Sequence, residues 1–172
     1  MSCDLGTGDG RSVVRAARKR PDVLFIGLDA DPTRMRRASQ HAPGNALFVV
    51  AGAEGLPIEL DGAIAELSVC FPWGSLLRGL VTPSPALLGG LARVLQPGGT
   101  FRALLSITTR DGGTPLGPGS IDRGAYACSG LRVEAWRRAT AIEVAASESS
   151  WAKRLRAGDA RPVWWLQAVS IR

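Results

Sequence analysis

Short apolar runs and amphipathic stretches alternate along the whole chain. Over Gly10–Arg20, Val13, Val14 and Ala17 form an apolar stripe while Arg11, Arg15 and Arg18 share the opposite face, a period that predicts a helix. Pro21 and Asp22 end it. Val23–Leu28 reads as a short buried strand, Asp31-Pro32 as the cap and first turn of a second helix, and Leu47–Ala51 and Ala63–Phe71 as further strands. Ser84-Pro85 opens a helix whose Leu87, Leu88, Leu91, Val94 and Leu95 make one wide apolar face. Gly98-Gly99 stops it ahead of a strand over Phe101–Ile107, and Arg110–Gly119 is a Gly- and Pro-rich loop. A helix over Ile121–Ser129, a strand over Leu131–Arg137, a helix capped by Thr140 and Glu143, and a closing strand over Arg161–Ile171 complete the pattern. Val163, Trp165 and Leu166 are core candidates in that last strand, and Trp136 and Trp164 are also read as packing residues. Strands alternating with helices predict an α/β fold, a Rossmann-like sheet with helices on both faces.

The start of the chain does not fit this scheme. Asp4-Leu5-Gly6-Thr7-Gly8-Asp9-Gly10 reads as a strand-to-helix turn, yet only Met1, Ser2 and Cys3 precede it. A strand usually runs to about five residues, so most of the first strand is expected to be missing, as in a chain shortened or misassigned at its start. A neighbouring strand would then carry an unpaired edge. The 172 residues otherwise suit one domain, residues 1–172.

Composition narrows the class. Apolar residues make up 45% and charged residues 21%, as in soluble globular proteins. No apolar run approaches the roughly 20 residues of a membrane span, and no leader pattern opens the chain. A cytoplasmic protein without a membrane partner is expected, acting as a monomer. Cys3, Cys70 and Cys128 lack metal-ligand spacing and read as small core residues. His41 is the only histidine. Neither a metal site nor Ser–His–Asp chemistry is expected. The net charge of +6 suits a polyanionic partner, since phosphate contacts dominate nucleic-acid affinity.

The glycine turn carries the clearest chemistry. Its spacing lets a ligand approach the backbone closely, but Arg11 stands where a dinucleotide fingerprint needs its third glycine. The pattern D-x-G-x-G-x-G resembles instead motif I of class I methyltransferases. In that resemblance Asp4, Gly6, Thr7 and Gly8 cradle the methionine end of S-adenosyl-L-methionine, with Asp4 facing its ammonium group. Asp29, at the end of the second strand, is an acceptor for the two ribose hydroxyls. Ala53-Glu54, after the third strand, falls where such enzymes hold the adenine edge.

After the fourth strand comes Phe71-Pro72-Trp73-Gly74-Ser75-Leu76-Leu77. No Asn or Asp precedes Pro72, which disfavours a standard exocyclic-amine methyltransferase. Together with the glycine turn, Ala53-Glu54-Gly55-Leu56-Pro57, Ser149-Ser150-Trp151-Ala152-Lys153-Arg154-Leu155 and Arg161-Pro162-Val163-Trp164, this segment resembles the aminoglycoside-resistance 16S rRNA (adenine-1408, N1) methyltransferases. The resemblance implies a class I fold that methylates one adenine of 16S rRNA in the 30S subunit. It implies that Trp73 and Trp151 sandwich the flipped base, supported by Phe71 and Pro72, and that Lys153, Arg154 and Arg161 hold rRNA. The family also has a full first strand and an N-terminal hairpin, absent here. Arg36 and Arg37 are further candidates for RNA contact, against a solvated helix face. A methyltransferase acting on tRNA or a small molecule, and an inactive RNA-binding fragment, are the competing readings.

Overall fold

The structure, a computed structural model, describes residues 1–154 and 161–172, without the side chain of Arg154. Seven strands form one sheet: β1 (Ser2–Leu5), β2 (Phe25–Asp29), β3 (Ala46–Val50), β4 (Ile64–Cys70), β5 (Leu95–Leu105), β6 (Leu131–Arg138) and β7 (Trp164–Ser170). Their order is β3-β2-β1-β4-β5-β7-β6. β1 to β5 run parallel, and β7 is antiparallel to both β5 and β6. The chain direction of travel reverses between β1 and β4, and ligands gather at such a crevice beyond the carboxyl ends of the strands.

β1 is short but present, contrary to the sequence expectation. Ser2 to Leu5 pair with Phe25 to Leu28 on one side, and Ser2 to Asp4 pair with Glu66 to Ser68 on the other. The ladder continues past both ends: the Met1 carbonyl accepts from Ala65 N–H (2.9 Å), and Gly6 and Thr7 N–H both donate to the Leu28 carbonyl (2.8 and 2.9 Å). These flanking bonds let four residues do the work of a longer central strand, and β2 and β4 keep their neighbour.

Among the described residues seven α-helices cover the sheet: α1 (Arg11–Lys19), α2 (Pro32–Gln40), α3 (Gly74–Val81), α4 (Pro85–Val94), α5 (Arg123–Cys128), α6 (Ala141–Ala146) and α7 (Ser150–Arg154). On one face Leu80, Leu87, Leu91 and Tyr126 pack against Cys3, Leu5, Leu67, Phe101 and Leu105. The Tyr126 hydroxyl, fully buried, donates to the Leu80 carbonyl at 2.8 Å. On the opposite face α1 lays Val13 and Ala17 on Phe25 and Ala46, while Val144 and Ala152 meet Phe71, Leu104 and Val163. The period-two alternation of β1 turns Ser2 and Asp4 to this second face. There, between α1 and α6, they help floor a groove of about 410 Å³.

Three details differ from the sequence pattern. α3 was not foreseen, because Gly74 and Gly79 dilute its helical signal. Gly79 is needed there: a Cβ would stand 2.7 Å from Leu87 Cδ2 of α4. Leu95 opens β5 instead of closing α4, and the register slips so that Ile64 faces Leu95 while Glu66 faces Thr100. Cys3 is buried and Cys70 half-buried, but Cys128 is exposed, so the core reading fails for it. The packing tryptophans behave as read: Trp164 stacks on Trp136 with ring centroids 4.8 Å apart, and Trp136 Nε1 donates to the Gly117 carbonyl at 2.9 Å. Trp165 is half-buried.

Gly10, left-handed at φ 69°, caps α1 against α2 and β3. A Cβ there would lie 2.5 Å from Phe48 Cε1 and 2.8 Å from Ala38 Cβ. Gly10→Ala is expected to destabilise the protein by about 1–3 kcal/mol through overpacking, with a further ~1 kcal/mol for the left-handed backbone. Urea denaturation checks this; an unchanged midpoint would show that α1 can pull away without cost.

Candidate active site

At the carboxyl end of β1 the chain turns through Gly6 and Gly8, both left-handed at φ 73° and 62°, before α1 begins. Asp29 ties this turn to β2: one carboxylate oxygen accepts from Gly8 N–H at 2.8 Å and the other from Asp31 N–H at 3.0 Å. Each oxygen keeps a second lone pair. Asp4 is half-buried beneath the turn, where Oδ2 accepts from the hydroxyls of Thr7 (3.0 Å) and Ser12 (2.9 Å) and Oδ1 from that of Ser68 (3.0 Å). Burial pushes the Asp4 carboxyl up, the hydroxyls of Ser12, Ser68 and Thr7 pull it down, and the nearby Asp29 charge adds to the rise. Such a carboxylate, short of positive charge, suits a cationic ligand group. A Cβ at Gly8 would meet nothing within 4 Å, so the turn has open space above it for a ligand. These residues fit an amino-acid nucleoside: a carboxylate below, bare backbone at the turn and a second carboxylate at Asp29. Ser12 and Ser68 were missed from sequence, since single serines carry no spacing signal. Ala53 is buried and Glu54 exposed in the loop that follows β3.

Phe71 ends β4 with φ 53°, a left-handed conformation that costs a non-glycine residue about 1–3 kcal/mol. Its ring is buried with Leu104, Val144, Ala152 and Val163, and its N–H donates to the Leu104 carbonyl at 2.9 Å. Phe71 is therefore a packing residue that bends the chain outward; Pro72 is buried and Trp73 emerges 47% exposed. Trp73 caps α3. Trp151, on α7, reaches the same place from far along the chain, with the two ring centroids 5.7 Å apart and the planes tilted by 52°. Trp151 is half-buried against the cluster around Phe71. A sandwiched base needs about 3.5–4 Å of van der Waals separation on each face, so the rings must part by about 1–2 Å and align before one fits between them.

The strap Ser147–Trp151 lies over the glycine turn. Together they enclose a space of about 20 Å³, room for about one water molecule. The start of α6 is pinned below it: Arg137 donates twice to the Glu143 carboxylate (2.9 and 2.6 Å), which also accepts from Thr140 N–H at 2.8 Å. The hydrogen bonds from Arg137, foremost, hold the Glu143 carboxyl down at about 2.

The basic candidates separate. Lys153, Arg36 and Arg37 are exposed, and the side chain of Arg154 lies outside the described residues. Arg11, Arg15 and Arg18 of α1 join Arg34, Arg37 and His41 around a shallow groove of about 640 Å³. Arg161 is not a free phosphate contact. Its guanidinium donates to the Ser106 hydroxyl (2.8 Å) and carbonyl (3.2 Å) and to the Asp111 carboxylate (2.6 Å), and the Arg161 and Asp111 side chains are only 11% and 16% exposed. Burial alone would push the Asp111 carboxyl up, but the Thr108 N–H and Arg161 outweigh it and bring it down. Arg161→Ala is expected to lower stability by about 1.5–3 kcal/mol, because it removes the charge-assisted hydrogen bonds that tie Asp111 to Ser106. The loss should shrink as pH falls through the depressed Asp111 pKa, where the orphaned acid is neutral. Chemical denaturation at neutral and acid pH checks both; equal losses at the two would contradict it.

The fold finds its counterparts in known proteins. A family model described as "16S rRNA (adenine(1408)-N(1))-methyltransferase", NpmA, matches residues 1–170. This chain belongs to that family. A family relative named 16S rRNA (adenine(1408)-N(1))-methyltransferase, from Streptoalloteichus hindustanus, is 40% identical over 92% of this chain and 81% of its own length. The crystal structure of the 16S rRNA methyltransferase KamB superposes with a TM-score of 0.84 at 34% identity, covering 98% of this chain and 86% of that one. A tryptophan-to-alanine variant of the Catenulisporales acidiphilia family member, solved with its cosubstrate SAM, gives 0.85 at 28% identity over 99% and 85%.

Proposed function

We propose that this chain transfers the methyl group of S-adenosylmethionine to N1 of adenine 1408 in 16S rRNA of the 30S subunit, and so confers aminoglycoside resistance. The observation that carries this reading is the meeting of Trp73 and Trp151 beside the glycine turn, in a chain matched by the family model from residue 1 to 170. When bound, S-adenosylmethionine supplies a methyl group activated by its positively charged sulfur. Asp4 would face its ammonium group, Gly6, Thr7 and Gly8 would shape the turn around the methionine end, Asp29 would accept from the ribose hydroxyls, and Ala53 and Glu54 would border the adenine.

The chemistry asks little of the protein in proton transfer. Adenine N1 already has an in-plane lone pair, so the N1–C bond forms as the C–S bond breaks, with no base to deprotonate the nucleophile. What remains is to hold the target base out of its helix, at a cost of a few kcal/mol, and to align it. Two indole faces suit this task, and they favour the positive charge that develops on the base by about 0.5–2 kcal/mol. Phe71 and Pro72 act through Trp73, by fixing the bend from which it projects. Lys153, Arg36 and Arg37, with Arg11, Arg18 and Arg34, are placed to neutralise rRNA phosphates. The protein is read as one domain acting as a monomer in the cytoplasm, without a metal.

Incubation with radiolabelled S-adenosylmethionine tests the substrate class. Label should enter 30S subunits and not tRNA, and binding to the subunit should fall steeply between about 50 and 200 mM salt. Label in tRNA, or salt-independent binding, would contradict the reading.

A further inference from the structure

Glu148 is the second non-glycine residue held in the left-handed region, at φ 48°. It sits in the strap, three residues before Trp151, and is fastened to α1 at three points. Arg15 Nε lies 2.6 Å from Glu148 Oε2, Lys19 Nζ lies 2.6 Å from Oε1, and Arg15 Nη2 donates to the Glu148 backbone carbonyl at 2.7 Å. Two residues 133 and 129 positions away in the chain thus converge on one carboxylate. The hydrogen bond from Lys19 is the largest influence keeping that carboxyl below its usual range.

Three further hydrogen bonds of the strap are local. Ser147 Oγ donates to the Val144 carbonyl, Ser149 N–H to Ser147 Oγ, and Trp151 N–H to Ser149 Oγ. They give the strap its shape without fixing its distance from α1. That distance matters, because α1 begins at the glycine turn and the strap ends at Trp151, and only about 20 Å³ separates turn from strap. The methionine end of the donor must enter this gap while Trp151 stays in line with the methyl group.

We propose that Glu148 is a positioning residue for methyl transfer: gripped by Arg15 and Lys19, it sets the separation between the cofactor turn and Trp151. It acts through the indole that it places. This rests on the reading of Trp151 as a ring that stacks on the target base. A left-handed glutamate carries a backbone cost that glycine would not. The retained side chain, with its ion pairs, supplies what glycine cannot.

The test compares Glu148→Gly, Glu148→Gln and Arg15→Ala on 30S subunits. Glu148→Gly removes the backbone strain together with the carboxylate, so it should fold at least as well as the parent chain. Its kcat should nonetheless fall about 10- to 100-fold, the range in which a small misplacement acts. Cofactor affinity and thermal midpoint should hold, since exposed ion pairs add little stability and Gly8 is held separately by Asp29. Glu148→Gln, which keeps the acceptor oxygen, should be intermediate. Arg15→Ala should lower kcat as well, and adding it to Glu148→Gly should cost nothing further, as in a coupled pair. Full kcat in Glu148→Gly overturns the proposal. So does a kcat loss that follows the thermal midpoint, or one that adds independently to that of Arg15→Ala. If Trp151→Ala is impaired while Glu148→Gly is not, the clasp alone is wrong; if Trp151→Ala is fully active, the base-stacking reading fails first.

Discussion

Trp151→Ala is expected to slow methyl transfer to 30S subunits about 5- to 150-fold while leaving S-adenosylmethionine affinity unchanged. The size follows from base–aromatic stacking, about 1–3 kcal/mol per base by alanine substitution, at 1.36 kcal/mol per tenfold in rate. The indole has a second role that the experiment must separate. It is half-buried against the cluster of Phe71, Leu104, Val144, Ala152 and Val163, so alanine also opens space there. Trp151→Phe keeps a ring on both jobs and should recover part of the rate. Single-turnover transfer, calorimetry with the cofactor and a thermal melt, run on each variant, divide the two effects. Rate, affinity and melting point falling together would make Trp151 a packing residue and remove it from the substrate site. Trp73→Ala, 47% exposed, gives the cleaner control because it has less packing to lose.

Asp29→Ala should weaken S-adenosylmethionine binding about 10- to 150-fold, the loss of a charged acceptor worth about 1.5–3 kcal/mol. Two causes combine. The ribose hydroxyls lose their partner, and Gly8 N–H, 2.8 Å from the carboxylate, loses the bond that holds the glycine turn. Asp29→Asn keeps one carbonyl acceptor and should fall between the two. Calorimetric titration gives the answer directly, and unchanged affinity in folded Asp29→Ala would take this residue out of the site.

How far the sequence carried can be argued from particular residues. The alternation of strands and helices was readable because each buried strand is bounded by turn signals and each long helix shows its stripe, as Leu87, Leu88 and Leu91 do in α4. α3 was not, because Gly79 serves the contact with Leu87, a tertiary demand that weakens a local signal. The four-residue β1 escaped length rules because its extra hydrogen bonds come from Met1 and from the turn, outside the strand itself. Asp4, Asp29, Trp73 and Trp151 were singled out by motif and order, and the structure brings Asp29 to the glycine turn and the two indoles to each other. Arg161 was misread as an RNA contact because nothing local reveals Asp111, 50 residues away, as its partner. Ser12, Ser68 and Glu148 were invisible for the same reason: their roles exist only once distant elements are packed together.

The central claim is that the paired indoles present one adenine of the decoding site to the methyl donor. Primer extension along 16S rRNA, after 30S subunits are incubated with protein and S-adenosylmethionine, tests it most directly, because a methyl group on N1 blocks the pairing edge of the base. A single new stop at adenine 1408, absent without the cofactor and strongly reduced with Trp151→Ala, is the predicted result. No cofactor-dependent stop, or one at a different nucleotide, would contradict the account.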